Sequence, residues 1–253
     1  DQVVHDVATQ NLPVVFCIDR GGLVAEDGTT HHGAFDYAYL RHVPNMVVMA
    51  PKDENELQHM MKTAVQYNGP ISVRYPRGVS LGVTMDAAPQ VLPIGKGELI
   101  KDGTDVAIIA IGVSVWQAHQ AAERLGQEGV STAVVNARFA KPLDHKLIAD
   151  VAKRVRYVVT VEEGCRMGGF GSAVLETLSE AGVNDVTTKI IGLPDWYIEQ
   201  GPQDFLRERY GLTAEGIYQS VKELIGSTPA TAKGRFTGVA SGSHHPLGDE
   251  QGS

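Results

Sequence analysis

Cysteine is scarce: Cys17 and Cys165 are the only two among 253 residues. They lie far apart, each in or just after an apolar run, where a free thiol behaves as a small hydrophobe. No structural disulfide is expected, and without a CxxC pair there is no zinc signature. Positive charge is also in deficit, with 22 Lys and Arg against 30 Asp and Glu and a formal net charge of −8. That balance argues against a nucleic-acid partner, because phosphate-backbone affinity needs clustered cations. Nor is there a run of about 18 apolar residues, or a basic start leading into an apolar stretch with a small-residue cleavage site. The chain therefore reads as soluble and unexported, with no membrane partner. An initiator methionine is missing as well. The first residue is Asp1, and Val3, Val4, Val7 and Ala8 already form the stripe of a helix in progress. The chain is expected to begin inside a domain.

What is present is enough for a core: 43 % of residues are hydrophobic and 21 % charged, away from the composition of disorder. At roughly 100 to 200 residues per domain, two domains are expected. Apolar, β-branched runs at 12–19, 46–51 and 71–75 read as strands. Between the last two, ENELQHMMKTAVQ places Leu57, Met60, Met61, Ala64 and Val65 on one helical face, with Asp53 and Glu56 as a capping box and Asn68-Gly69-Pro70 as the stop. From Pro76 to Gly95 small residues dominate without a period, as in a linker. A second unit follows. Strands at 105–112, 132–138, 157–163 and 188–194 alternate with a helix carrying Val115, Ala118, Ala122 and Leu125 in phase, one capped by Asp144, one from about Ser172 and two closing helices. Repeated strand, helix, strand implies right-handed crossovers. The fold class is thus α/β with mostly parallel sheets in both halves. Residues 227–253 are poor in large apolar side chains and are expected to be a disordered tail.

In an open α/β sheet, ligands bind beyond the carboxyl ends of the strands. Three segments qualify. The first strand runs into Asp19-Arg20-Gly21-Gly22 and a loop holding Asp27, His31, His32 and Asp36. The strand at 71–75 ends in Arg74-Tyr75-Pro76-Arg77-Gly78, so Arg20 and Arg77 stand at the ends of different strands. Two guanidinium groups in that position suit one phosphate, whose oxygens match their forked donors. The third segment is Glu162-Glu163-Gly164 followed by Gly168 to Gly171, which leads into a helix and suits an anion at its N-terminus. Plainer readings stand beside each. Asp27-Gly28 fits a simple turn, His31 and His32 fit zinc ligation only if further ligands exist, and Arg20 fits an ion pair with Asp19 or Asp36. Arg77 fits an ion pair too. The glycines do not match GxGxxG and suit tight packing. The Glu162-Glu163 pair suits acid or base work or a plain strand end, and Lys141-Pro142-Leu143-Asp144 a turn with a helix cap.

FCIDRGGLVAEDGTTHHGAFDYAYLRHVPNMVVMAPKDENE, GPISVRYPRG, LPIGKGE, RFAKPLD, VTVEEGCRMGGFGSAV and IGLPDWYIEQG closely resemble the second half of the 1-deoxy-D-xylulose-5-phosphate synthase family, of the transketolase class. The resemblance spans residues 1 to about 226 and is carried most specifically by the IDR, DGxTHxG and RYPRG motifs. It implies a thiamine-diphosphate and Mg2+ dependent transferase that decarboxylates pyruvate and joins the remaining two carbons to D-glyceraldehyde 3-phosphate, in isoprenoid precursor, thiamine and pyridoxal biosynthesis. It further implies that Arg20 and Arg77 grip the substrate phosphate and that Tyr75 supports the Arg77 turn. His31 would assist proton transfer or orient the substrates, and Asp27 would hold the aldehyde's hydroxyl or that histidine.

The resemblance also says what is missing. The family's Gly-Asp-Gly to Asn motif for magnesium and diphosphate, its activating glutamate and its stacking aromatic are expected upstream of Asp1. No cofactor or metal residue is therefore assigned within this chain, and alone it is expected to be inactive. Residues 1–80 correspond to the latter part of the pyrimidine-binding domain, 81–92 to a linker, and 93–226 to the C-terminal domain, whose family role is mainly dimerisation and support. A homodimer is implied, in the cytoplasm or, in a plant or alga, the plastid stroma. Two other readings remain: the β subunit of a 2-oxoacid dehydrogenase, and a non-catalytic dimerisation or phospho-ligand-binding module.

Overall fold

Short runs of buried aliphatic residues build two sheets in the structure, a computed structural model that describes residues 1–227. The expected disordered tail lies outside the described residues except for Ser227, which closes the last helix. The first sheet takes β1 (Val15–Ile18), β2 (Val47–Met49) and β3 (Ile71–Arg74), all parallel, with β3 in the middle. Their connections carry a short helix α1 (Asp36–Arg41) and the longer α2 (Glu54–Gln66). The second sheet, from β4 (Glu98–Lys101), β5 (Val106–Ala110), β6 (Thr132–Asn136), β8 (Tyr157–Cys165) and β9 (Thr187–Leu193), runs in the order β4-β6-β5-β8-β9. Only β4 is antiparallel to its neighbour there. Helices α3 (Ser114–Gln127), α4 (His145–Ala152), α5 (Phe170–Glu180), α6 (Gln203–Arg209) and α7 (Ala214–Ser227) complete this half.

The period-2 alternation of β5 shows how the layers form. Ile108 packs with the face covered by α3 and α7, whereas Ile109 packs toward α4, α5 and the first sheet. Each fully buried aliphatic side chain of this kind contributes roughly 1.5–3 kcal/mol. A third cluster, centred on Met49, Met60, Ile71 and Val73, joins α2 to the outer face of the first sheet.

The halves are less separate than the sequence implies. The remaining strand, β7 (Phe139–Lys141), belongs to the second half yet pairs antiparallel with β2, extending the first sheet, and Phe139 is sealed into the α2 core. Asp53 caps α2 by accepting from Glu56 N at 2.7 Å, but the reciprocal half of the expected capping box is absent. The Glu56 carboxylate instead accepts from Lys52 N, Asn136 Nδ2 and Arg138 Nε, at 2.8, 2.9 and 2.7 Å. Burial alone would raise its pKa; Lys52 and Arg138 outweigh that and hold the carboxyl below its usual range. Glu56 thus links the two halves.

Three packing expectations change. Val65 is 74 % exposed, and His59 and Thr63 take the buried positions beside Met60 and Ala64. They do so because the linker lies along α2: Leu92 N donates to Thr63 Oγ1 and Gln90 N to His59 Nδ1, both at 2.8 Å, while Gly82 N donates to Glu54 Oε1. Cys17 is exposed, since β1 is an edge strand, and only Cys165 is buried. Near the start, Val3–Ala8 is helical as expected, but with wider π-type turns and with Val4 pointing outward.

Candidate functional site

The site grows from the ends of β1 and β3. Gly21 N donates to Tyr75 O at 2.9 Å, tying the two strand ends together. Gly22 and Gly33 then exchange hydrogen bonds of 2.9 and 2.8 Å, closing the loop between them. Arg20 adopts a left-handed conformation, φ 57°, which costs a non-glycine residue of order 1–3 kcal/mol and needs surrounding contacts to persist. Within the loop, a 3₁₀ turn over Ala25–Asp27 ends at Gly28, so the Asp27-Gly28 turn exists, and it also aims the carboxylate.

Asp27 stands between the two arginines. Its Oδ2 accepts from Arg77 Nη1 and lies 3.8 Å from Arg20 Nε, while Arg20 Nη1 also donates to Asp19 at 2.6 Å. The Arg20, Asp27 and Arg77 side chains are 44, 32 and 56 % exposed. Ion pairs this open contribute roughly 0–1 kcal/mol, so another anion can replace the carboxylate at little energetic expense. Tyr75 contributes its main chain to the β1–β3 junction, and its ring packs partly buried beside the α2 core.

His31 is exposed, with its Nδ1 hydrogen-bonded to Thr30 Oγ1 at 2.9 Å rather than to Asp27. His32 has a different task. Its Nδ1 accepts from Val24 N at 3.0 Å and its Nε2 donates to Glu199 O at 3.1 Å, so both ring nitrogens are committed to holding the loop. Among the described residues no group of three or more His, Cys, Asp and Glu side chains converges as a metal site.

Beneath this open cluster lies a sealed one, made from the same three segments but with pairings that the sequence did not show. Arg74, 5 % exposed, donates to Asp36 Oδ2 at 3.1 Å, Gly33 O at 2.6 Å and Glu163 O at 2.7 Å, and stacks 4.1 Å from the centre of the Tyr37 ring. Asp36 is therefore the partner of Arg74, not of Arg20. Burial would lower the Arg74 pKa, but Tyr37 and Asp36 outweigh it and keep the guanidinium charged. Glu163 Oε1 accepts from Leu23 N at 2.9 Å, and Arg207 Nε donates to its Oε2 at 2.9 Å. A Cβ on Gly22 would fall 2.6 Å from Glu163 Oε1, so glycine is required there both for space and for its φ of +91°.

The glycine stretch before α5 does face an acidic group, but that group is internal. Glu162 accepts from Phe170 N at 2.8 Å and Gly171 N at 2.7 Å. Burial pushes its carboxyl up to about 7, against the opposing effect of those two N–H groups. Gly169 cannot be larger, because a Cβ would lie 2.2 Å from Cys165 O. Glu162 and Glu163 are thus both occupied structurally. With this helix start filled and no metal cluster among the described residues, these residues do not fit a magnesium–diphosphate site.

A cavity of about 250 Å³ opens between the two halves, with Tyr75, Arg77 and Gly78 on one wall and Trp116, Gln203 and Arg207 on the other. Gln203 and Arg207, four apart on one face of α6, escaped the sequence reading, in which α6 is only a closing helix. The sole local signal is that spacing.

The chain spans about a third of the length of the curated relatives it matches. It is 58 % identical over 225 residues to 1-deoxy-D-xylulose-5-phosphate synthase 1 of Geobacter metallireducens, covering 89 % of this chain and 36 % of that protein. It is 54 % identical over 236 residues to the 1-deoxy-D-xylulose-5-phosphate synthase of Heliobacterium modesticaldum, covering 93 % and 36 %. A solved split-gene transketolase, an inactive β4 tetramer, superposes with a TM-score of 0.76 at 30 % identity, covering 89 % of this chain and 70 % of that one. Residues 1–80 match the transketolase pyrimidine binding domain and residues 95–217 the transketolase C-terminal domain. The two sheets are those of a transketolase-type pair of domains, and the chain belongs to the transketolase family.

Proposed function

We propose that this chain is part of a 1-deoxy-D-xylulose-5-phosphate synthase and forms the wall of its active site that binds the phosphorylated acceptor. The reaction joins pyruvate to D-glyceraldehyde 3-phosphate with loss of carbon dioxide. Thiamine diphosphate and Mg2+ would be held by residues outside this chain, and the isolated chain is expected not to turn over. Residues 1–80 act as the latter part of the pyrimidine-binding domain and 93–226 as the C-terminal domain of a cytoplasmic homodimer, joined by 81–92.

One observation carries the reading: a carboxylate, Asp27, already occupies the space between two half-exposed guanidinium groups at the ends of parallel strands. Arg20 and Arg77 are positioned to exchange that carboxylate for the acceptor phosphate, whose higher charge and three terminal oxygens suit two forked donors better. Asp27, once released, is free to accept from the acceptor's hydroxyl. His31, exposed on the same loop, serves proton transfer or substrate orientation, and Tyr75 holds the turn. Such cations favour a phosphosugar acceptor over acyl transfer to lipoamide.

The test is kinetic. In the complete enzyme, Arg77→Ala is expected to raise the KM for D-glyceraldehyde 3-phosphate at least tenfold, a loss of roughly 1.5–3 kcal/mol of charge-assisted contact, with pyruvate's KM nearly unchanged. Equal effects on both substrates would remove the phosphate clamp.

A further inference from the structure

We infer that Gln203, on the C-terminal half, is a positioning residue for acceptor binding, because its amide ties the Arg77 turn to the loop that carries Arg20 and Asp27. The inference rests on the reading of Arg20 and Arg77 as a phosphate clamp.

The amide nitrogen has two hydrogens and two recorded acceptors: Leu23 O at 2.5 Å and Arg77 O at 3.3 Å. Leu23 lies between Arg20 and Asp27, so a single side chain bridges both walls of the clamp. Among the described residues this is the one hydrogen bond to the Arg77 main chain. The neighbouring Gly78, at φ 152°, sits where L side chains rarely go.

Gln203 is well placed to hold the turn, because α6 is anchored twice. Leu206 is fully buried, and Arg207, one helical turn after Gln203, grips Glu163 through Nε at 2.9 Å and Nη2 at 3.3 Å. Glu163 in turn accepts from Leu23 N at 2.9 Å. Both main-chain groups of Leu23 are thus held by the second half, the N–H through Glu163 and the C=O through Gln203. Further along, Thr29 Oγ1 donates to Ile198 O at 2.9 Å and His32 Nε2 to Glu199 O at 3.1 Å. Residues 198–207 therefore back the whole acceptor loop. A clamp whose main chain is pre-set loses less entropy on gripping a phosphate than one that must be ordered by it.

The experiment uses the complete enzyme and compares wild type, Gln203→Ala, Arg77→Ala and the double variant, with pyruvate and either D-glyceraldehyde 3-phosphate or unphosphorylated D-glyceraldehyde. Gln203→Ala is expected to raise the KM of the phosphorylated acceptor about 3- to 10-fold, as befits the loss of one or two hydrogen bonds. Pyruvate's KM, kcat and the KM of the unphosphorylated acceptor should stay within about twofold, and adding Gln203→Ala to Arg77→Ala should change little more. Gln203→Met, which keeps bulk and removes the donors, gives the same KM split if Gln203→Ala disturbs folding. An unchanged acceptor KM in Gln203→Met, an equal rise for both acceptors, or full additivity with Arg77→Ala overturns the inference. If Arg77→Ala raises the phosphorylated acceptor's KM and the Gln203 variants do not, only the positioning role falls. If Arg77→Ala has no such effect, the clamp falls and the inference with it.

Discussion

Two pairs of arginines meet carboxylates within one site, and the surroundings give them opposite properties. Arg74 and Arg207 meet Asp36 and Glu163 under the loop, where the Arg74 and Asp36 side chains are 5 and 9 % exposed. Arg20 and Arg77 meet Asp27 above it, at 44, 56 and 32 %. In the sealed pair, attraction is strong but neither partner can leave without stranding a buried charge. In the open pair, water screens the attraction and stands ready to solvate either partner. Both clusters pair arginine with carboxylate, so burial is what makes one a scaffold and leaves the other open to solvent.

Breaking the sealed side should have the largest effect. Arg74→Ala leaves the Asp36 carboxylate buried and unpaired, and its unfolding free energy in urea is expected to fall by about 3–5 kcal/mol; a loss under about 1 kcal/mol would put both clusters in the same class. Glu162, next to the sealed cluster, sharpens the comparison through pH. Its carboxyl stands near 7 in the fold against an ordinary 4.5, so the fold favours its protonated form. That contribution is complete below the ordinary value and is lost as pH rises through about 7. Unfolding measured between about pH 4 and 8 should therefore lose part of its downward slope in Glu162→Gln, which mimics the protonated acid; an unaltered slope would assign the pH dependence elsewhere. The smallest effect belongs to the open side. Arg77→Ala should leave thermal stability almost unchanged, within about 1 kcal/mol, while acceptor binding suffers. A large loss of stability there would mean that Arg77 is structural.

Much of the frame was legible locally. Asp53 and Asp144 cap their helices by accepting from Glu56 N and Leu147 N, as their positions predict, because a cap involves residues only three apart. Strand cores were legible for the same reason, although β1 is shorter than expected and helix α5 starts at Phe170 rather than near Ser172. The three segments singled out at strand ends do converge. Their partners were another matter. Locally Glu56 reads as half of a capping box, but its carboxylate goes to Asn136 and Arg138, 80 and 82 residues away. The glycine stretch before α5 reads locally as an anion site or as tight packing, and nothing local shows Glu162 reaching into it.

The amino-acid order by itself determined the α/β alternation, the local caps and the placing of Arg20 and Arg77 just beyond strand ends, with Asp27 in the loop that follows the first strand. These depend on side-chain periodicity and on contacts within one helical turn or one strand. The three-dimensional arrangement alone decided which arginine is sealed and which is open, that β7 crosses to the first sheet, and that Gln203 reaches Leu23 O and Arg77 O. Those outcomes depend on burial and on hydrogen bonds between residues far apart in the chain, and neither desolvation nor a distant partner leaves a local trace in composition or spacing.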